Sequence, residues 1–148
     1  MDTAPPDRLR QLPSWLILRL SGPANRLVAD ALGDPGARAD FAVLASLAQF
    51  GAMSQADLGR RLAADRSDMA GYVTHLVEEE LVVRATDPVD RRRNVITIAT
   101  AGRRRLAAMQ RRIDRAQDDL LAPLNPTRRR ELLAILQELV EHHRPVGS

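Results

Sequence analysis

Between Leu58 and Ile98 the apolar residues switch from a helical to an extended period, and this succession restricts the fold more than any other feature of the chain. Leu58 and Leu62 lie one turn apart on a short helical segment, while Met69, Val73, Leu76 and Val77 share one face of the next. Only Ala63-Ala64-Asp65 separates the two, and short helices joined by so tight a turn suggest a helix-turn-helix. Ahead of them, Ser54-Gln55-Ala56-Asp57 sets a hydroxyl N-cap three residues before a carboxylate, the capping-box spacing. After Leu81 the pattern becomes extended. Val82-Val83-Arg84-Ala85 and Val95-Ile96-Thr97-Ile98-Ala99 are rich in β-branched residues, and a polar turn from Thr86 to Asn94 joins them as a hairpin.

Helices flank this centre. The first ten residues are polar and contain proline, which predicts a loose arm. Pro13 suits a helix start, and Leu16, Leu20, Leu27 and Ala31 give an apolar face running to about Leu32. Gly22-Pro23 interrupts that face, so the helix should be kinked or split there. Past a break at Gly33-Asp34-Pro35-Gly36, a second helix is expected from Ala39 to Phe50, ended by Gly51. Downstream, a long helix from Thr100 to about Ala122 presents Leu106, Met109, Ile113, Ala116 and Leu120 at spacings of 3, 4, 3 and 4, a coiled-coil seam expected to contact a second subunit, with packing inside one subunit as the alternative. Asn125-Pro126 starts a final apolar-faced helix with Leu132, Leu133, Leu136, Leu139 and Val140. The fold class is therefore mainly α with a small β-hairpin, and 148 residues suit one domain.

Charge is unevenly spread. All 22 basic residues counted as Lys or Arg are arginine, and the net charge is +3. Residues 84–112 hold nine arginines against two aspartates, net +7, while the segments on either side are net acidic. Such clustering is what a protein shows where it meets a polyanion. Cysteine is absent, which excludes disulfides, thiolate metal sites and cysteine nucleophiles. No glycine-rich phosphate loop or motif-bound nucleophile is present, and the His142-His143 pair has no acidic ligand at metal spacing, so an enzyme is not expected and no cofactor is implied. No apolar run reaches a membrane span, and Met1 to Pro6 lacks the order of a secretory signal, so a cytoplasmic protein with no membrane contact is expected.

Asp87-Pro88-Val89-Asp90-Arg91-Arg92, followed by Ile96-Thr97-Ile98 and Gly102, resembles the winged-helix signature of the MarR family of transcriptional regulators. Gln55 to Leu62 and Asp65-Arg66-Ser67 resemble that family's positioning and recognition helices at the expected distance upstream, and the likeness runs from about residue 39 to 106. It implies a winged helix-turn-helix over 39–104, dimerisation helices at 1–38 and 105–148, and a homodimer reading a pseudo-palindromic double-stranded DNA operator. It also implies a small aromatic or anionic effector and, as the family's commonest mode, repression. Three departures matter. Ala99 stands where a threonine is usual, which would shift the cap of the long helix by one residue; Glu80 replaces a glycine that closes the recognition helix; and Gly71 replaces a long basic side chain.

On this reading Arg66, Ser67, Asp68, Thr74 and His75 form the polar face of the recognition helix, where base edges are met. Asp68 can accept from a cytosine amine or steady the helix N-terminus, and His75 can read a base or simply be solvated. Tyr72 is expected to pack beneath the helix. Arg91, Arg92 and Arg93 at the hairpin tip reach phosphates or the minor groove. The resemblance gives Asp90 the role of orienting Arg92 and leaves Arg91 to brace the domain. Ser54 and Arg60 are phosphate-contact candidates, and Arg103-Arg104-Arg105 either follow the backbone or are solvated. Trp15 with Arg19 one turn later is the expected effector site, an aromatic wall with an anion partner, although a core role for Trp15 stays open. Two other functions fit parts of the pattern: a helical adaptor that binds another polypeptide, and a non-specific architectural DNA binder.

Overall fold

Residues 4–144 are described by the structure, a computed structural model. Helix α1 (Asp7–Arg10) and helix α2 (Pro13–Leu32) lead into α3 (Ala37–Phe50), the two-residue strand β1 (Met53–Ser54), α4 (Gln55–Leu62) and α5 (Arg66–Glu78). The hairpin β2 (Val82–Thr86) and β3 (Asn94–Ile98) follows, then α6 (Thr100–Leu120) and α7 (Pro126–His142). The architecture is mainly helical with one small antiparallel sheet, in strand order β1-β3-β2. Val82 pairs with Ile98 and Thr86 with Asn94 across the hairpin, while Ser54 pairs with Val95 on the other side of β3.

The core lies where α3, α4, α5 and the sheet meet. Val43, Leu44, Leu47, Leu58, Met69, Val73, Leu76 and Ile96 are all but inaccessible to solvent. Burying a side chain of this size contributes about 1.5–3 kcal/mol. This cluster fixes α5 against the domain by one face and leaves the opposite face outward. Its ends are set locally: the Asp65 carboxylate accepts from the Asp68 amide at 2.8 Å, and Ala63 makes the preceding corner in the left-handed region at φ 51°. At the far end Glu80 takes φ 57°, the conformation a glycine would supply, and Leu81 N donates to Leu76 O at 2.9 Å. Burial of Leu81 holds that closure in place without the glycine.

Several flanking expectations change. Asp7–Arg10 is a turn of helix, not a loose arm, with residues 1–3 outside the described part. Helix α2 is not split at Gly22-Pro23 but runs unbroken from Pro13 to Leu32. Its packing explains this: Val28 and Leu32 join the core beside Leu106, Met109 and Ile113 of α6, and such burial outweighs one missing backbone donor. The same contact corrects the reading of the α6 seam, which packs on α2 of its own chain rather than facing out. Helix α6 starts at Thr100 with Ala99 as N-cap, so the cap is not shifted; it merely lacks a side-chain acceptor.

Apolar surface is left open elsewhere. No residue of α7 is buried, and Leu133, Ile135, Leu136, Leu139 and Val140 are all exposed, as are Leu12, Leu16, Ile17, Leu18 and Leu20 of the α2 region. The start of α7 is tied down by Arg129, whose Nε donates to Leu124 O and whose Nη1 pairs with Asp118 Oδ1, both at 2.9 Å.

Candidate nucleic-acid interface

The cap of α4 organises the site. Ser54 is buried, its Oγ accepts from the Asp57 amide at 3.1 Å, and its hydroxyl donates to Asp57 Oδ2 at 2.6 Å. The other carboxylate oxygen of Asp57 pairs with Arg60. Arg93 reaches across from the hairpin, with Nη2 donating to Ser54 Oγ at 3.0 Å and to Asp57 Oδ2 at 3.3 Å. Ser54 is thus committed internally and offers no free hydroxyl to a phosphate. The Asp57 carboxyl is held below its ordinary range, first by the Ser54 hydroxyl bond and then by the Arg60 and Arg93 cations.

Two aspartates shape the hairpin tip. Asp87 Oδ1 accepts from Val89 N at 2.8 Å, and Asp90 Oδ1 accepts from Arg92 N at 3.0 Å, turns in which a side chain replaces a backbone acceptor. Asp90 therefore orients Arg92 through its main chain and not its guanidinium. The brace expected of Arg91 is made by Arg93, the one of the three whose guanidinium is bonded to Ser54 and Asp57 at the head of α4. The Arg91 and Arg92 side chains are exposed and have no hydrogen-bond or ion-pair partner among the described residues.

Between α4, the start of α5 and the hairpin lies an open cleft of about 770 Å³ lined by Arg60, Arg66, Arg92 and Arg93 together with Ala56 and Met69. Ser67, Asp68, Gly71 and Thr74 are exposed along α5. A Cβ at Gly71 would meet nothing within 4 Å. His75 faces another way: Nε2 lies 3.5 Å from Asp40 Oδ2 of α3. Asp40 is buried, and burial pushes its carboxyl above the ordinary range, opposed by His75 and Arg105 and reinforced by Asp34 and Glu79. Tyr72 packs against the core as expected. Trp15 and Arg19 do come together, the guanidinium 5.6 Å from the indole centroid, on α2 and far along the chain from the arginine cleft.

Sequence reasoning read Asp57 only as a cap and gave Asp40 no part. In both cases the signal was absent because the partner arrives from a distant element. Among the described residues no helix is long and apolar enough to cross a membrane, and no group of three His, Cys, Asp or Glu residues is placed to hold a metal.

Two short helices against a hairpin, with arginines gathered beside the outward helix face, define a winged helix-turn-helix protein. A sequence profile of the MarR family matches residues 38–93. A protein of Thauera aromatica described as a transcriptional regulator for the hcr operon is 31% identical over 99 residues, which cover 67% of this chain and 60% of that protein; the match spans less than two thirds of its length. The HTH-type transcriptional repressor NicR of Pseudomonas putida is 29% identical over 107 residues, covering 72% of this chain and 68% of NicR. The crystal structure of the PcaV transcriptional regulator from Streptomyces coelicolor in complex with its natural ligand superposes with a TM-score of 0.71 at 25% identity, covering 95% of this chain and 98% of PcaV. The helix-turn-helix and hairpin, residues 38–93, are thus of the MarR family, and the proteins they resemble are described as transcriptional regulators.

Proposed function

We propose that the chain is a homodimeric, sequence-specific duplex-DNA-binding regulator, acting as a ligand-responsive repressor on a pseudo-palindromic operator. The observation that carries the reading is the cleft in which Arg60, Arg66 and Arg92 converge beside the exposed Ser67, Asp68 and Thr74 of α5. Cations flanking a short polar helix fit phosphates on either side of a major groove, with base edges met between them. Arg91 and Arg92 at the hairpin tip follow the backbone into the adjacent minor groove. His75, engaged towards Asp40, is a poorer base reader than Thr74 one residue before it.

A second copy of the chain is the natural cover for α7. Five large apolar side chains exposed on one helix with no residue buried make an unusually extended patch for a solitary subunit. Pairing through it joins two winged domains and multiplies selectivity, since one domain alone makes few base contacts. Repression is supported by the likeness to NicR, a transcriptional repressor, and ligand response by the likeness to PcaV in complex with its natural ligand. For the effector, Trp15 and Arg19 offer an aromatic face and a cation, suited to a small aromatic anion.

Footprinting and binding titration on the intergenic DNA beside the chain's own gene, against random duplex, test the reading. The expected outcome is a protected site spanning two half-sites about one DNA turn apart, with affinity falling steeply with salt. A monomer at working concentration that shows no preference among duplexes overturns it. For the effector site, calorimetry with phenolic and carboxylic acids should lose its signal in Trp15→Ala; equal binding by both proteins removes the assignment.

A further inference from the structure

We propose that Arg93 is a positioning residue that clamps the hairpin to α4 through Asp57 and Ser54, so that of the three consecutive arginines only Arg91 and Arg92 engage DNA. The proposal rests on the DNA-binding reading above and assigns work within it. Three observations support it.

The first is register. Ser54 pairs with Val95, and following the strands two residues further sets Arg93 beside the first turn of α4, while Arg91 and Arg92 lie beyond in the turn. The second is occupancy. Arg93 Nη2 already bonds Ser54 Oγ and Asp57 Oδ2, across 39 and 36 residues of sequence, whereas the neighbouring arginines have no partner among the described residues. The third is charge. Asp57 is a carboxylate beside the arginine cleft, where it repels phosphate; what it gains there is a fixed grip on Arg60 and Arg93. A residue that opposes ligand binding by charge can still favour it by holding the cation-bearing loop at the right angle.

The magnitude is bounded. Asp57 and Arg93 are 39% and 50% exposed in their side chains, so the pair adds little to global stability. A weak clamp biases the hairpin between docked and undocked positions, and its loss lowers apparent affinity by the fraction of time the hairpin spends docked, roughly three- to tenfold.

Wild type, Asp57→Asn, Arg93→Ala and the double variant would be compared by fluorescence anisotropy on operator DNA across a salt series. Amide hydrogen exchange would be measured on the same four proteins without DNA. The expected result is that each single change weakens binding by the same factor and the double variant is no weaker than either. The salt slope of Arg93→Ala should stay at the wild-type value, the thermal midpoints should stay close together, and exchange at residues 87–94 should quicken equally in all three variants. The proposal is overturned if Arg93→Ala flattens the salt slope by about one counterion, the mark of a lost phosphate contact, while Asp57→Asn binds as tightly as wild type or tighter. If wild type binds no duplex at all, the functional reading fails. The exchange data on free protein still decide the clamp, because additive or absent changes at the hairpin would refute it.

Discussion

Gly102→Ala should be among the most damaging single-methyl additions in the chain. A Cβ built at Gly102 falls 2.1 Å from Leu81 O, 2.9 Å from Ile98 Cγ1 and 3.1 Å from Leu81 C. The obstacle is main chain, so no rotamer change removes it; the first turn of α6 has to retreat by about 1 Å to reach ordinary contact. That retreat works against the Ala99 N–H donating to the same Leu81 carbonyl at 3.0 Å. Overpacking of this kind costs about 1–3 kcal/mol and a lost backbone hydrogen bond about 1 kcal/mol more. A total of about 3 kcal/mol corresponds to a fall of roughly 10 °C in Tm for a chain of this size. Gly71→Ala is the matched control: no atom lies within 4 Å of its Cβ, and α5 should gain about 1 kcal/mol from the better helix former. Thermal and urea unfolding followed by circular dichroism, at one fixed protein concentration because the proposed subunit association would shift the midpoint, reads both. A Gly102→Ala protein as stable as wild type, or a fall in Gly71→Ala as large as that in Gly102→Ala, would refute the reasoning.

Ala99→Ser should raise stability by about 1 kcal/mol in urea titration, because residue 99 already has the extended N-cap conformation, φ −82° and ψ 165°, and lacks only an acceptor. Asp40→Asn tests the buried carboxylate. Since burial raises its pKa above the ordinary 3.8, the folded state holds the proton more readily than the unfolded chain. The stability this group contributes is then present at low pH and lost as pH rises through the raised pKa. Asp40→Asn is therefore expected to match or exceed wild type at pH 7 and to lose that relative advantage on acidification. A variant clearly less stable than wild type at pH 7 would show that the His75 pairing outweighs desolvation.

The centre of the fold was legible because its signals are local. The cap at Ser54, the helical faces of Leu58–Leu62 and Met69–Val77, and the alternation around Ile96 are each written within a few residues. Strand β1 was not, since two residues carry no period and Met53-Ser54 become a strand only by lying against β3. The α6 seam shows the opposite failure. Its spacing correctly marked an apolar face, yet an apolar face does not name its partner; α2 of the same chain took that place and left α7 open. The run Arg91-Arg92-Arg93 hides a comparable ambiguity. Three identical side chains look equivalent in sequence, and the division of labour among them comes from a strand register set 39 residues away.

If the chain works as the proposed DNA-binding dimer, these contacts leave little slack between its subunit frame and the surface that meets DNA. Helix α5 is followed by a closing turn at Leu81, whose amide donates to Leu76 O and whose carbonyl accepts from the Ala99 amide at the head of α6. Gly102 presses the next turn of α6 against the same carbonyl, and β2 starts at the following residue. Three elements therefore meet on one peptide. Any rotation of α6, which α2 grips along its seam, has to carry Leu81 and with it both the end of α5 and the base of the hairpin. A ligand that altered how two subunits pack would not need a path of its own to the operator. In the proposed dimer, tilting α6 would change the separation of the two recognition helices, and a duplex with fixed half-site spacing would respond to that change directly.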